Sequence, residues 1–209
     1  MSMSKQQDHL ETITEIRSLM ERSSRFISLS GLSGVFAGVF ALIGATIAYI
    51  HLNLSLTDTG YYHSTESTAD FYSFFIINAG CVLAASLATG IFLTVRKAKR
   101  AEQSIWDNTA KRLLINLFIP LAAGGIFCLA LLYHGEVGLV APATLLFYGL
   151  ALINASKYTL SDIRYLGICE IILGLMAAFN IGYGLIFWAL GFGVLHIFYG
   201  AMMYFKYEK

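Results

Sequence analysis

Six apolar stretches, each about as long as a lipid bilayer is thick, constrain this chain more than any motif in it. A transmembrane helix needs about 20 predominantly apolar residues. The stretches that reach or approach this length are 26–51, 73–95, 113–133, 137–155, 165–181 and 184–205. Only 13% of the residues are charged, against about 25% in a soluble domain, so a soluble fold is excluded. The sequence predicts an all-α fold: a polytopic membrane helical bundle of six transmembrane helices over residues 26–209.

The positive charges all fall on one side of this predicted bundle. The 14 lysines and arginines lie before the first stretch, after the last, or in the connections 96–112 and 156–164. Lysine and arginine in short loops stay in the cytoplasm. Both termini are therefore predicted to be cytoplasmic and the connection 52–72 external. The predicted location is the bacterial inner (cytoplasmic) membrane, so the lipid bilayer is the first expected partner.

The residues before the first stretch predict a separate element. Residues 1–25 are polar overall, but Leu10, Ile13 and Ile16 recur at helical spacing. They predict a cytoplasmic amphipathic helix, which either lies on the membrane surface or binds a cytoplasmic protein partner. The basic run 96–100 is explained by topological anchoring. Because no folded basic domain surrounds this run, nucleic-acid binding is not expected.

Glu170 is the one acid well inside an apolar stretch. It follows Arg164 by six residues, which places it about 9 Å from the cytoplasmic boundary. A charge there costs roughly 2.5 to 3.5 kcal/mol on insertion scales, so the group should be protonated, paired or in a hydrated cavity. His196, in the sixth stretch, lies about 13 Å from the same side. Because a short external turn joins the two stretches, we expect them to pack as a hairpin that allows the pair to meet.

Two interpretations of a pair formed by Glu170 and His196 are open. The pair is either a proton or ligand site, since histidine titrates near neutrality, or a buried hydrogen bond that fixes helix packing. Asn116, Asn154 and Ser33 lie in the inner parts of neighbouring stretches. They are the first candidates to complete a polar site on that side.

Two of the stretches contain residues that interrupt helices. The third contains Pro120 followed by Gly124 and Gly125, and the sixth contains Gly191 and Gly193. Proline removes one backbone hydrogen bond of its helix. When the chain is divided after the third stretch, these two helices occupy equivalent places in halves of opposite orientation, a pattern typical of transporters. Close helix packing is the alternative explanation of the glycines.

Small residues also recur in the first stretch, where Ser30, Gly34 and Gly38 are spaced by four residues. This spacing lets helix backbones approach closely, within one chain or between subunits. We expect a homo-oligomer, most simply a homodimer. The three cysteines lie inside stretches, and neither they nor the external histidines have the spacing of a metal site. No metal and no cofactor is predicted.

Two resemblances bear on function. Residues 31–34 read G-L-S-G, and Ser33 together with His196 resembles the serine and histidine of the rhomboid intramembrane proteases, although here the serine lies in the first stretch and on the cytoplasmic side. The runs EIRSLMERSSRFISLSGLSG and LFYGLALINASKYTLSDIRYLG resemble a group of bacterial six-span membrane proteins without an assigned activity. The second resemblance implies an inner-membrane location and brings no catalytic or binding residue.

The first predicted function is transport or channel-like conduction, because an acid, a histidine and interrupted helices coexist in the apolar stretches. The main alternative is a membrane signalling or assembly module that acts through the N-terminal helix and the basic connection 96–112. An enzyme ranks third.

Overall fold

A computed structural model of the protein describes residues 30–51, 68–100 and 106–209. Every long element in these ranges is a helix, and the described residues contain no β-strand. The all-α fold class predicted from the sequence is thus confirmed for this part of the chain. The amphipathic helix predicted within residues 1–25 and most of the external connection 52–72 lie outside the described residues.

Six long helices follow one another along the described chain. They are α1 (Gly31–His51), α2 (Thr68–Arg100), α3 (Asn108–Tyr133), α4 (Val140–Ala155), α5 (Asp162–Phe179) and α6 (Gly184–Tyr207). Short 3₁₀ turns, Val137–Leu139 and Ser156–Tyr158, flank α4. Helix α6 is not uniform, because its middle section Ala189–Leu195 is π-helical. The turn between α5 and α6 contains Gly182 at a φ of 109°, which only glycine adopts without strain.

Five helices are long and apolar enough to cross a membrane, judged by length and composition. They are α1, α2, α3, α4 with its flanking turns, and α6, and they define a helical membrane protein. The fifth predicted stretch corresponds to α5, which is 18 residues long and contains Asp162, Arg164 and Glu170. These three charges keep α5 outside the group. Helix α5 also packs between α4 and α6.

The helices pack side by side in the order α2, α1, α6, α5, α4, α3. At the contact of α1 with α6, Gly31 lies against Tyr204 and Gly38 lies against Gly193, so these helices are antiparallel. The other neighbouring pairs are antiparallel too, because in each pair a later residue of one helix contacts an earlier residue of the other. The contacts are Gly44 with Asn78 and His51 with Phe74 for α1 and α2, and Asn116 with Asn154 and Gly124 with Phe147 for α3 and α4. For α4 and α5 they are Leu146 with Gly174 and Gly149 with Gly167, and for α5 and α6 they are Asp162 with Lys206 and Glu170 with His196.

The small residues of α1 have partners within the same chain. A side chain at Gly34 would meet the backbone of Gly200, and one at Gly38 would meet the backbone carbonyl of Gly193. These glycines therefore allow α1 and α6 to approach backbone to backbone. They give no argument for contacts between subunits, and a homo-oligomer stays a prediction.

The outer surface of the bundle is apolar. Phe118, Ile126 and Phe179 are exposed by 69%, 69% and 88%, and the apolar part of α2 contains no buried residue. Soluble proteins rarely expose apolar patches beyond a few hundred Å². Lipid is the solvent that such a surface requires.

Candidate functional site

Glu170 is at the centre of the contact between α5 and α6. Its side chain is fully buried, with an exposure of 0%. Among the described residues, neither carboxyl oxygen has a hydrogen-bond partner. Buried polar groups are nearly always hydrogen-bonded, so this acid is an exception that requires an explanation.

His196 is the nearest polar neighbour of Glu170. Its Nδ1 lies 3.4 Å from Glu170 Oε1 and 3.0 Å from the carbonyl oxygen of Gly191. A carbonyl only accepts, so Nδ1 carries a proton and donates it to Gly191. The structure thus brings together the two residues that the sequence placed at similar depth. The hydrogen bond of Nδ1, however, goes to the backbone and not to the acid.

Tyr148 of α4 completes the group and was not a candidate in the sequence analysis. Its hydroxyl lies 2.7 Å from His196 Nε2. Because Nδ1 holds the proton of the neutral ring, Nε2 accepts and the tyrosine donates. A tyrosine in the middle of an apolar stretch was the available signal, since a buried phenol hydroxyl usually finds a polar partner.

The π-helical section of α6 positions this group. Gly191 lies within it and provides the carbonyl that binds His196, five residues further along the chain. A methyl group at Gly191 would overlap Glu170 Oε2 and Leu145 Cδ2. Glycine is therefore the residue that lets the acid lie against the backbone of α6. π-helical turns are frequent at functional sites.

Asn116 and Asn154 belong to a different structural unit. Pro120 has no N–H to donate to the carbonyl of Asn116, four residues earlier. The side-chain amide of Asn154 donates to that carbonyl at a distance of 2.9 Å, while the side chain of Asn116 donates to Arg112 of its own helix. Asn154 therefore compensates for the proline, and the described hydrogen bonds of both asparagines do not reach Glu170 or His196. Helix α3 stays continuous through Pro120.

Ser33 also makes its hydrogen bond elsewhere, because its hydroxyl donates to the carbonyl of Ser30 in the first turn of α1. The two ring nitrogens of His196 bind Gly191 and Tyr148. The described contacts therefore form no serine–histidine dyad of the kind that the rhomboid resemblance implied.

The remaining glycines predicted as helix interruptions have separate surroundings. Side chains at Gly124 and Gly193 would overlap Phe147 and Leu42, so both positions are close helix contacts. Gly125 faces open space.

An apolar cluster lies beside the three polar side chains, toward the C-terminal ends of α4 and α6 and the N-terminal end of α5. It contains five buried residues: Leu152, Leu160, Ile163, Leu166 and Met203. Tyr148 packs against this cluster. In this conformation the cluster separates Glu170 from the ends of the helices on that side.

Charged contacts fasten the same end of the bundle. Lys206 Nζ lies 3.0 Å from Asp162 Oδ2, and the Tyr207 hydroxyl donates to the same oxygen at 2.6 Å. Burial raises the pKa of the Asp162 carboxyl, but the hydrogen bonds from Tyr207 and Lys206 and the positive charge of Lys206 outweigh burial and hold this pKa below its usual value. The next residue, Glu208, accepts the backbone N–H of Gly31 and lies 3.3 Å from Lys97 Nζ.

Comparison of the chain with protein-family models, curated proteins and solved structures gives no match. The chemistry of the site must therefore be read from its geometry alone.

The arrangement suits proton binding. It contains the Glu170 carboxyl, whose two oxygens have no hydrogen bond in the described chain, and the Tyr148 hydroxyl. Between them lies the His196 imidazole, with Nδ1 near Glu170 and Nε2 near Tyr148. No group of three or more histidine, cysteine, aspartate or glutamate side chains that could hold a metal ion occurs in the described ranges.

Proposed function

We propose that the protein is a six-span transporter or channel-like protein of the bacterial inner membrane, with both termini in the cytoplasm. Its polar intramembrane site is formed around Glu170 and His196 and carries protons. The observation that carries the proposal is the fully buried carboxyl of Glu170, which has no hydrogen-bond partner in the described chain.

The missing hydrogen bonds favour a working site over a packing contact. An acid retained only to fix two helices is expected to use its oxygens in hydrogen bonds, because an unsatisfied buried polar group costs about 1 to 3 kcal/mol. Neither oxygen of Glu170 forms such a bond in the described chain, although His196 Nδ1 lies 3.4 Å from Oε1. Ionisable residues inside membranes are expensive and commonly mark proton or ion pathways.

Helix directions support six crossings. If α5 did not cross, α1, α2, α3, α4 and α6 would alternate and α6 would run in the same direction as α1. The contacts of Gly31 with Tyr204 and of Gly38 with Gly193 make these helices antiparallel. Helix α5 is also antiparallel to both α4 and α6, as alternation over six spans requires. The Pro120-containing α3 and the π-helical α6 occupy equivalent places in the two halves, as in transporters built from inverted repeats.

Topology is tested with single cysteines at Asn180 and Lys209, after replacement of the native cysteines Cys81, Cys128 and Cys169 by serine. Six spans predict that an impermeant maleimide labels position 180 on intact spheroplasts and position 209 only after permeabilisation. Five spans without α5 predict the reverse at both positions, which would overturn the topology.

Transport is tested with purified protein in liposomes that contain a pH-sensitive dye, under a pH gradient with the voltage clamped by potassium and valinomycin. We expect proton flux above that of empty liposomes, and loss of this flux in Glu170→Gln and in His196→Gln. Glu136→Gln is the matched control, because it makes the same amide change at an exposed acid between α3 and α4.

Proton flux no greater than that of empty liposomes would overturn the proposal. Such a result, together with specific retention of a cytoplasmic protein by residues 1–25, would favour the signalling or assembly module instead. Flux that persists in Glu170→Gln would show that the protein conducts by another route.

A further inference from the structure

We propose that Tyr148 is the outer member of a proton relay that runs from its hydroxyl through His196 to Glu170, and that the relay accepts a proton and no larger cation. This inference rests on the proposed function and deepens it by naming the relay and its substrate.

The hydrogen bonds define the direction in which a proton can pass. Nδ1 of His196 already carries a proton and donates a hydrogen bond to the carbonyl of Gly191. An additional proton therefore reaches the ring at Nε2, and the group at Nε2 is the Tyr148 hydroxyl, 2.7 Å away. On the other side of the ring, Nδ1 lies 3.4 Å from Glu170 Oε1. The imidazole thus accepts a hydrogen bond from Tyr148 at one nitrogen and has the Glu170 carboxyl within 3.4 Å of the other, whose proton is hydrogen-bonded to Gly191.

Exposure follows the same order along the group. Tyr148 is partly exposed, His196 is exposed by 6% and Glu170 by 0%. Because Glu170 has no exposed surface, a proton reaches it only through a neighbouring group. The relay is therefore the route to a carboxyl that has no surface of its own.

The transfer balances with a hydronium ion as the proton source and an ionised Glu170. Hydronium gives a proton to Tyr148 Oη, the original hydroxyl proton passes to His196 Nε2, and the Nδ1 proton passes to Glu170 Oε1. Three bonds to hydrogen break, one each at hydronium, Oη and Nδ1, and three form at Oη, Nε2 and Oε1. Water is released, the positive charge of hydronium cancels the carboxylate, and no electron is transferred. The protonated acid then donates to the vacated Nδ1.

The gap between the acid and the backbone of α6 has no room for a larger ion. A methyl group at Gly191 would overlap Glu170 Oε2, and it would also overlap Leu145, which is exposed by 0%. A metal cation with its coordination shell is larger than a methyl group. A proton needs no space beyond that of the existing atoms.

Aromatic packing fixes the ring of Tyr148, where the relay begins. The ring of Phe192 lies 4.9 Å from that of Tyr148 and 5.8 Å from that of His196, measured between centroids. Trp188 packs on Phe192 at 5.1 Å. Phenylalanine at position 148 keeps these ring contacts and removes the hydroxyl alone.

The test compares Tyr148→Phe with Tyr199→Phe in the liposome assay. Tyr199 is the matched control because its hydroxyl also lies between α5 and α6, at 3.8 Å from Cys169 Sγ, but outside the relay. We expect a loss of proton flux of about tenfold or more in Tyr148→Phe, and flux within about twofold of wild type in Tyr199→Phe. Sodium and potassium flux of the wild type should equal that of empty liposomes.

A spectroscopic readout separates relay from packing. Nitrogen-15 spectra of histidine-labelled protein, with the His196 signals assigned by loss in His196→Gln, should show an unprotonated Nε2 that accepts a hydrogen bond. This signal should shift in Tyr148→Phe and stay in place in Tyr199→Phe. The wild-type measurement uses His196→Gln for assignment only. At alkaline pH, with Glu170 ionised, protonation of Nε2 with a bare Nδ1 in the neutral ring would overturn the relay, because the relay forms that tautomer only after Glu170 is protonated.

The outcomes distinguish the inference from the function beneath it. Wild-type flux that depends on Glu170 but is unchanged in Tyr148→Phe refutes the relay and leaves the proposed function intact. Glu170-dependent sodium or potassium flux refutes the restriction to protons. No wild-type proton flux at all refutes the proposed function itself.

Discussion

A methyl group at Gly191 is the most direct perturbation of the Glu170 site. Gly191→Ala adds one carbon atom where the structure has Glu170 Oε2 and Leu145 Cδ2. Both side chains are exposed by 0%, so neither can move outward without displacing its neighbours. Overpacking of this kind costs about 1 to 3 kcal/mol.

Gly125→Ala is the control that isolates this cost. Gly125 lies in α3 with no atom near the added carbon. Both variants make the same change from glycine to alanine within a helix, so the backbone contribution is similar in the two. The difference in unfolding free energy between them should therefore be about 1 to 3 kcal/mol, which is about 5-fold to 150-fold in the folding equilibrium.

Reversible unfolding in mixed micelles, followed by circular dichroism, measures this difference. We also expect Gly191→Ala and Leu145→Ala to be less destabilising together than the sum of the single variants, because the second change makes room for the added carbon. Equal stability of Gly191→Ala and Gly125→Ala would refute the close packing of the acid against α6.

Two further predictions concern other parts of the bundle. Asp162→Asn removes the charge that Lys206 pairs with, and because the pKa of Asp162 is lowered in the folded protein, its stabilisation is complete above about pH 4 and fades as the pH falls through the lowered pKa. Melting temperatures of wild type and variant should therefore differ at pH 7 and converge toward about pH 2, and a constant difference would contradict this. Asn154→Ala leaves the carbonyl of Asn116 without its donor and should cost about 0.6 to 2 kcal/mol. In a Pro120→Ala background, where the helix supplies that donor, the cost measured by the same unfolding assay should largely disappear.

Much of the architecture was predictable from the sequence, because length and hydropathy are local properties. Each apolar stretch corresponds to one helix, and counting residues at 1.5 Å each placed Glu170 and His196 at similar depths. Their separation of 3.4 Å fits that count. The same criterion was weakest for α5, which contains three charges, two of which, Asp162 and Glu170, are buried at its contacts with neighbouring helices.

The rotation of each helix about its own axis was not predictable. In a soluble helix the polar face shows which side is buried, but a membrane helix is apolar on every side, since lipid and protein interior are alike in polarity. The sequence therefore grouped Asn116, Asn154 and Ser33 with the acid by depth alone. The tertiary structure separates them, and it turns Tyr148 toward His196 instead.

The sequence by itself determined that this chain forms apolar helices, where the described ones begin and end to within five residues, and which residues lie deep within them. Only the tertiary structure decided which polar groups touch. It placed the carbonyl of Gly191 and the hydroxyl of Tyr148 on the two nitrogens of His196, and left the oxygens of Glu170 without a hydrogen bond in the described chain. The physical reason is that depth depends on position along one helix, whereas contact depends on the rotation and packing of three.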